Sequence, residues 1–125
     1  MTPDFDVVVI GSGSAGRAVV YPCREAGWKV AMADSRPLGG TCALRGCDPK
    51  KVLVGAAEIV DRIEGMRGRG ISGRSVMDWP ELMAFKRSFT DPFPSEMRRS
   101  LDSAGIEVLA GTVSLKFAPH VSRCS

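Results

Sequence analysis

No apolar run in this sequence approaches the roughly 20 residues that cross a bilayer; the longest, Val7-Val8-Val9-Ile10, has the length of a strand. No basic segment opens the chain either, since Met1-Thr2-Pro3-Asp4-Phe5-Asp6 carries acids only, so no secretory signal is read there and a cytoplasmic location is expected. Neither sign of charge dominates: 17 Lys and Arg stand against 14 Asp and Glu. The basic pairs Lys50-Lys51 and Arg98-Arg99 read as solvated surface, so neither nucleic acid nor membrane is an expected partner. Four cysteines, unevenly spaced, are too few for a disulfide scaffold. A single histidine, at position 120, leaves little from which to build a zinc site, and no metal is expected. Repeats and biased segments are absent. What is present is ordinary for a folded domain, 44% hydrophobic and 25% charged residues. At 125 residues the chain can bury one core but is short for a complete enzyme.

The first forty residues carry the clearest pattern. Phe5 to Ile10 is β-branched and almost continuously apolar, as in a strand buried on both faces of a parallel sheet. Gly11-Ser12-Gly13-Ser14-Ala15-Gly16 follows at once, then a helical stretch from Ser14 to Ala26 that contains Pro22 and stops at Gly27. Trp28 to Ala33 reads as a second strand closed by Asp34, completing a βαβ unit. Beyond the loop Arg36 to Thr41, a helix is expected from near Cys42, with helical spacing of apolar residues from Pro49 to Ile63. Gly65, Gly68, Gly70 and Gly73 mark a connection; Asp78-Trp79-Pro80-Glu81 resembles a capping box for a third helix through about Arg87. A fourth helix is expected from about Ser95 to Ala104, then strands over Ile106 to Ala110 and Thr112 to Phe117 around Gly111. The fold class is therefore α/β with a Rossmann-like parallel sheet.

Two constellations carry chemistry. A glycine-rich turn alone is weak evidence, but this one lies between a strand and a helix, and Asp34 ends the next strand eighteen residues after Gly16. In that setting Gly11 permits the tight turn, Gly13 lets backbone approach a pyrophosphate, and Gly16 allows close helix packing. The phosphates would rest on the helix N-terminus near Ser14 and Ala15, with Asp34 accepting from a ribose hydroxyl. The second constellation is Cys42-Ala43-Leu44-Arg45-Gly46-Cys47, two thiols five positions apart. Zinc would require shorter gaps and a second ligand pair. Two unrelated thiols and a redox-active disulfide are the other readings, and the disulfide explains more, because a helix start favours the thiolate and Gly46 eases closure of so short a ring.

The run Gly39-Gly40-Thr41-Cys42-Ala43-Leu44-Arg45-Gly46-Cys47-Asp48-Pro49-Lys50 resembles the redox-disulfide signature of the class I pyridine nucleotide-disulfide oxidoreductases, the family of glutathione reductase, dihydrolipoamide dehydrogenase and mercuric reductase. The resemblance runs from about residue 4 to 117 and implies the N-terminal, incomplete part of a FAD-binding domain over residues 1–117, with 118–125 an unassigned tail. It implies that Gly11, Gly13, Ser14, Ala15 and Gly16 hold the FAD pyrophosphate, that Asp34 binds the adenosine ribose, and that Val113 meets the adenine. Gly40, Thr41 and Cys42 would line the FAD, and Lys50 would lie near the flavin ring. Cys47 would be the sulfur beside the flavin, and Cys42 the interchange thiol that attacks a small-molecule or protein disulfide.

Departures accompany the matches. Ala43-Leu44-Arg45 replaces the family's usual run between the cysteines, bringing a charged Arg45 to the pair and leaving the substrate undefined. The family's NAD(P)H domain and its dimer domain, with a His-Glu pair, have no counterpart in this sequence; His120 is not assigned that role, and Cys23 and Cys124 are read as bystander thiols. The tail from Ala118 loses the expected continuation, as in a truncated or frame-shifted member, and the shortened sheet is expected to expose an apolar edge. Two functions stay open: the flavin-side part of a FAD-dependent NAD(P)H disulfide oxidoreductase, or a FAD- or ADP-binding or thiol-redox module without turnover.

Overall fold

The computed structural model describes residues 4–115. Its elements are β1 (Val7–Ile10), α1 (Ser14–Glu25), β2 (Val30–Asp34), α2 (Gly40–Arg45), α3 (Cys47–Gly65), α4 (Trp79–Thr90), α5 (Phe93–Ser103) and β3 (Glu107–Ala110). The three strands form one parallel sheet in the order β1-β2-β3.

Parallel register fixes which residues share a side. Val9 pairs with Met32 and Met32 with Val108, so these point together toward α1 and α5. There the core forms, with Val20 of α1 and Met97 and Leu101 of α5 closing over Val30, Met32 and Ile106. Tyr21 and Ser100 join the two helices by a hydroxyl hydrogen bond of 2.9 Å, and the Arg17 guanidinium lies 5.6 Å from the Phe93 ring centre. Both helices end alike. Trp28 N–H donates to Cys23 O and Gly27 N–H to Arg24 O; Ile106 N–H donates to Leu101 O and Gly105 N–H to Asp102 O. This pairing needs a left-handed residue after the helix, and glycine supplies it at Gly27 (φ 87°) and Gly105 (φ 72°). Each stop turns the chain directly into the next strand, so the two helices that cover the sheet are punctuated by the same device.

Three expectations change. The first strand is not buried on both faces: Val8 is 46% and Ile10 60% exposed, because both covering helices lie on the opposite side and β1 is an edge strand among the described residues. The doubly buried strand is the central one, β2. The expected strand from Thr112 is not formed over its described part, 112–115. Gly111 N–H donates to Asp34 O, the last rung of the sheet, and β2 ends at Asp34, so residues 112–115 run past the end of their neighbouring strand. Phe117 and the tail 118–125 lie outside the described residues. The expected cysteine helix divides at Gly46 into α2 and α3, and α4 and α5 reach Thr90 and begin at Phe93. The capping at Asp78 is present: its carboxylate accepts from Glu81 N–H at 2.9 Å.

Leu101 is fully buried at the centre of the core. Leu101→Ala is expected to lower the unfolding free energy by about 2–5 kcal/mol in urea titrations. Asp78→Ala, removing one exposed cap, is expected to lower it by about 1 kcal/mol. Equal small losses would contradict this assignment of the core.

Candidate functional site

The site begins where β1 ends. Gly11 donates its N–H to Ala33 O at 2.7 Å and turns with φ 98°, and a Cβ on Gly16 would lie 2.0 Å from Gly11 O. Helix α1 can therefore start only this close to the strand with glycine at 16. Its N-cap, Gly13, offers no side-chain acceptor, and no acid lies in the first turn. The free N–H groups around Ser14, Ala15 and Gly16 are left uncapped by side chains, which suits an anion.

Asp34, at the end of β2, is held by the same turn. Its Oδ2 accepts from Ser12 N–H at 2.8 Å and from the Ser12 hydroxyl at 2.5 Å, and its Oδ1 accepts from Arg36 N–H at 2.9 Å. Burial pushes the carboxyl upward, but the hydrogen bonds from Ser12 and from the Arg36 and Ser35 amides outweigh it and hold Asp34 below the ordinary 3.8. Ser12 is fully buried and its Oγ also accepts from Gly39 N–H at 3.0 Å. Sequence reasoning assigned Ser12 no role, since it occupies an unspecified position of the glycine pattern. The only signal was a hydroxyl residue between two glycines.

Gly11, Asp34 and Val113 line one cleft of about 390 Å³ at the C-terminal ends of the strands, together with Arg36, Thr112 and Leu115. Cys42, Cys47 and Lys50 do not line it. They connect to it through backbone: a Cβ on Gly40 would lie 2.6 Å from Gly13 Cα, so the first residue of α2 packs directly on the dinucleotide turn. Thr41 and Cys42 follow on α2. A second groove, about 380 Å³ between α3 and α4, is lined by Ile59, Val76 and Phe85 and lies apart from all of these residues.

Cys42 and Cys47 are free thiols on opposite sides of the Gly46 break, Cys42 half-buried and Cys47 exposed as the first residue of α3. Gly46 is required by space, since a Cβ there would meet Thr41 O at 2.9 Å. Lys50 stands exposed on the first turn of α3, its N–H donating to Gly46 O. The expectation of a thiol lowered by a helix start does not hold for Cys42. Hydrogen bonding with the Cys47 side chain, then burial, then the charges of Cys47 and Asp48 push the Cys42 thiol above its ordinary 9.0, against a smaller opposing contribution from the Cys47 backbone amide.

A parallel sheet whose first strand feeds a glycine turn and an uncapped helix, with an acid ending the second strand, defines a Rossmann-like dinucleotide-binding unit. A family model described as pyridine nucleotide-disulphide oxidoreductase matches residues 5–122, and the chain belongs to that family. FAD and NAD(P)H are the family's cofactors. The chain is 34% identical over 123 residues to a glutathione reductase of Nostoc sp. (strain PCC 7120), covering 92% of this chain and 25% of that protein. It is 36% identical over 117 residues to a dihydrolipoyl dehydrogenase of Chlamydia muridarum, covering 92% and 25%. The chain thus spans about a quarter of the length of the curated relatives it matches. No described helix is long and apolar enough to cross a membrane.

Two outcomes are expected from this geometry. Ser12→Ala raises the Asp34 pKa and costs about 1 kcal/mol at neutral pH. Because Asp34 is depressed in the folded state, its contribution is complete above the unfolded value and is lost as pH falls through the folded one, so the wild-type advantage over the variant fades below about pH 4. Acid titration of both proteins by circular dichroism, with the Asp34 carboxyl followed by NMR, measures this. For the thiols, the pH midpoint of Cys42 alkylation by iodoacetamide is expected above that of a free cysteine and to fall in Asp48→Asn; an unchanged midpoint would remove Asp48 as a cause.

Proposed function

We propose that this chain is the FAD-holding, thiol-bearing part of a FAD-dependent NAD(P)H disulfide oxidoreductase, with Cys42 and Cys47 as its redox pair and the cytoplasm as its setting. The observation that carries this reading is the Gly13–Gly40 approach, which fastens the cysteine helix to the dinucleotide turn. The residues fit FAD: the turn leaves open space beside Gly11, the α1 N-terminus has no acid beside it and no side-chain cap, and the adjoining cleft ends at a carboxylate.

In this reading the amides near Ser14, Ala15 and Gly16 receive the pyrophosphate, and Gly11 and Gly13 let it approach. Asp34 takes a ribose hydroxyl with the lone pair that Ser12 and Arg36 leave free, and Val113 borders the adenine. Gly40 and Thr41 line the middle of the molecule, and Lys50 lies toward the flavin with Cys47. Cys42, as thiolate, attacks one sulfur of a substrate disulfide; that bond breaks and the first product leaves as a thiolate that takes a proton from water. Cys47 then attacks Cys42 in the mixed disulfide, releasing the second product thiol, so the substrate is reduced by two electrons and the pair is oxidised. Held by the glycine turn and Asp34, FAD would provide the two-electron chemistry that returns the Cys42–Cys47 pair to the dithiol, with NAD(P)H, for which no residue of this chain is assigned, as the source. The raised Cys42 pKa makes the thiolate scarce at neutral pH, so the exchange step is expected to accelerate as pH rises toward and past 9.0.

The test is the visible spectrum of the purified chain after FAD loading and gel filtration, before and after mild two-electron reduction. Retained flavin, with a long-wavelength band on reduction that Cys47→Ser abolishes, is the expected result. Retained flavin without that band would favour a dinucleotide-binding module, and no retained flavin would refute the cofactor assignment for this chain.

A further inference from the structure

Arg45 is the last residue of α2 and lies three positions after Cys42, so the two share a helix face. It is exposed, and among the described residues the ion pairs are Arg67–Glu64 and Arg98–Asp102, so no carboxylate neutralises it. Lys50 and Lys51 stand exposed near the start of α3, and Asp48 is the only acid from Cys42 to Lys51. Of these three exposed cations, Arg45 is the one on the same short helix as the half-buried Cys42 thiol.

We infer that Arg45 selects disulfide substrates bearing a negative charge close to the sulfurs, a carboxylate being the natural partner of a planar guanidinium. This rests on the reading of Cys42 as the interchange thiol. The covalent step is the exchange already described: the Cys42 S⁻ lone pair forms the new S–S bond, the substrate S–S bond breaks, and its electron pair leaves on the product thiolate. Arg45 takes no part in bond making; it is a positioning residue that raises the local concentration of the anionic disulfide and orients it. A cation in the last turn also offsets the helix carbonyls, and that role by itself would not depend on the charge of the substrate.

The test is the exchange rate of the reduced chain at low ionic strength with three disulfides: 5,5′-dithiobis(2-nitrobenzoate), which is anionic, bis(2-hydroxyethyl) disulfide, which is neutral, and cystamine, which is cationic. Each rate is divided by that of 2-mercaptoethanol with the same probe, and the part lost in Cys42→Ser is assigned to Cys42. Arg45→Gln is expected to slow the anionic probe about threefold, the order of effect of one unit charge acting through water over a few ångströms, to leave the neutral probe unchanged and to speed the cationic one. Arg45→Lys is expected to keep most of the preference, and added salt to erase the wild-type preference. Equal changes for all three probes, or an equal loss of preference in Lys51→Gln, would overturn the assignment to Arg45. If Cys42→Ser removes no exchange with any probe, the underlying reading of Cys42 fails, and the inference fails with it.

Discussion

The hydroxyl of Ser12 donates to Asp34 and accepts from Gly39, and through it three segments distant in sequence meet: the turn after β1, the end of β2 and the loop into the cysteine helix. It is fully buried, so each of these bonds must be made within the protein or left unsatisfied at a cost. The amide of Ser12 adds a second donor to the same carboxylate. Around this point the glycines carry out their parts. Gly16 lets α1 begin against Gly11, and Gly40 lets α2 rest on Gly13, so backbone stands where side chains would keep the segments apart.

This arrangement divides the chemistry between two regions. The cleft at Asp34 is built from the ends of β1 and β2 and the residues that follow β3, and the uncapped start of α1 stands beside it, over the core of Val20, Met32 and Leu101. The thiols lie on a short helix and at the start of the next, divided by Gly46, where the backbone is too close to Thr41 for a side chain. Backbone contact between Gly13 and Gly40, next to the Gly39 amide that donates to the Ser12 hydroxyl, couples the two regions.

Much of this was legible along the chain. The order strand, glycine turn, helix, strand and acid appears in the structure within a few residues of its expected bounds, because local spacing and glycine chemistry encode each step. The Asp78 cap was legible for the same reason, since a cap is a contact between near neighbours. The burial of the strands was not. Val8 and Ile10 look as buried in sequence as Met32 does, yet strand order makes β1 an edge and leaves one face of it open. The strand expected after Gly111 has the right alternation, yet its described part, 112–115, does not extend the ladder, because β2 stops at Asp34.

The sequence by itself therefore determined the Rossmann-like unit, the family and the candidate residues, since these rest on motifs whose geometry is set over a few consecutive positions. Only the tertiary structure decided that Ser12 is the hub, that Asp34 and Val113 share a cleft while the cysteines lie outside it, and that Cys42 is pushed upward rather than down. Each of those depends on what is brought near from elsewhere in the chain. A hydrogen bond between residues 12 and 34, or a second thiol set against the first across a helix break, follows from packing, and packing is a property of the assembled fold.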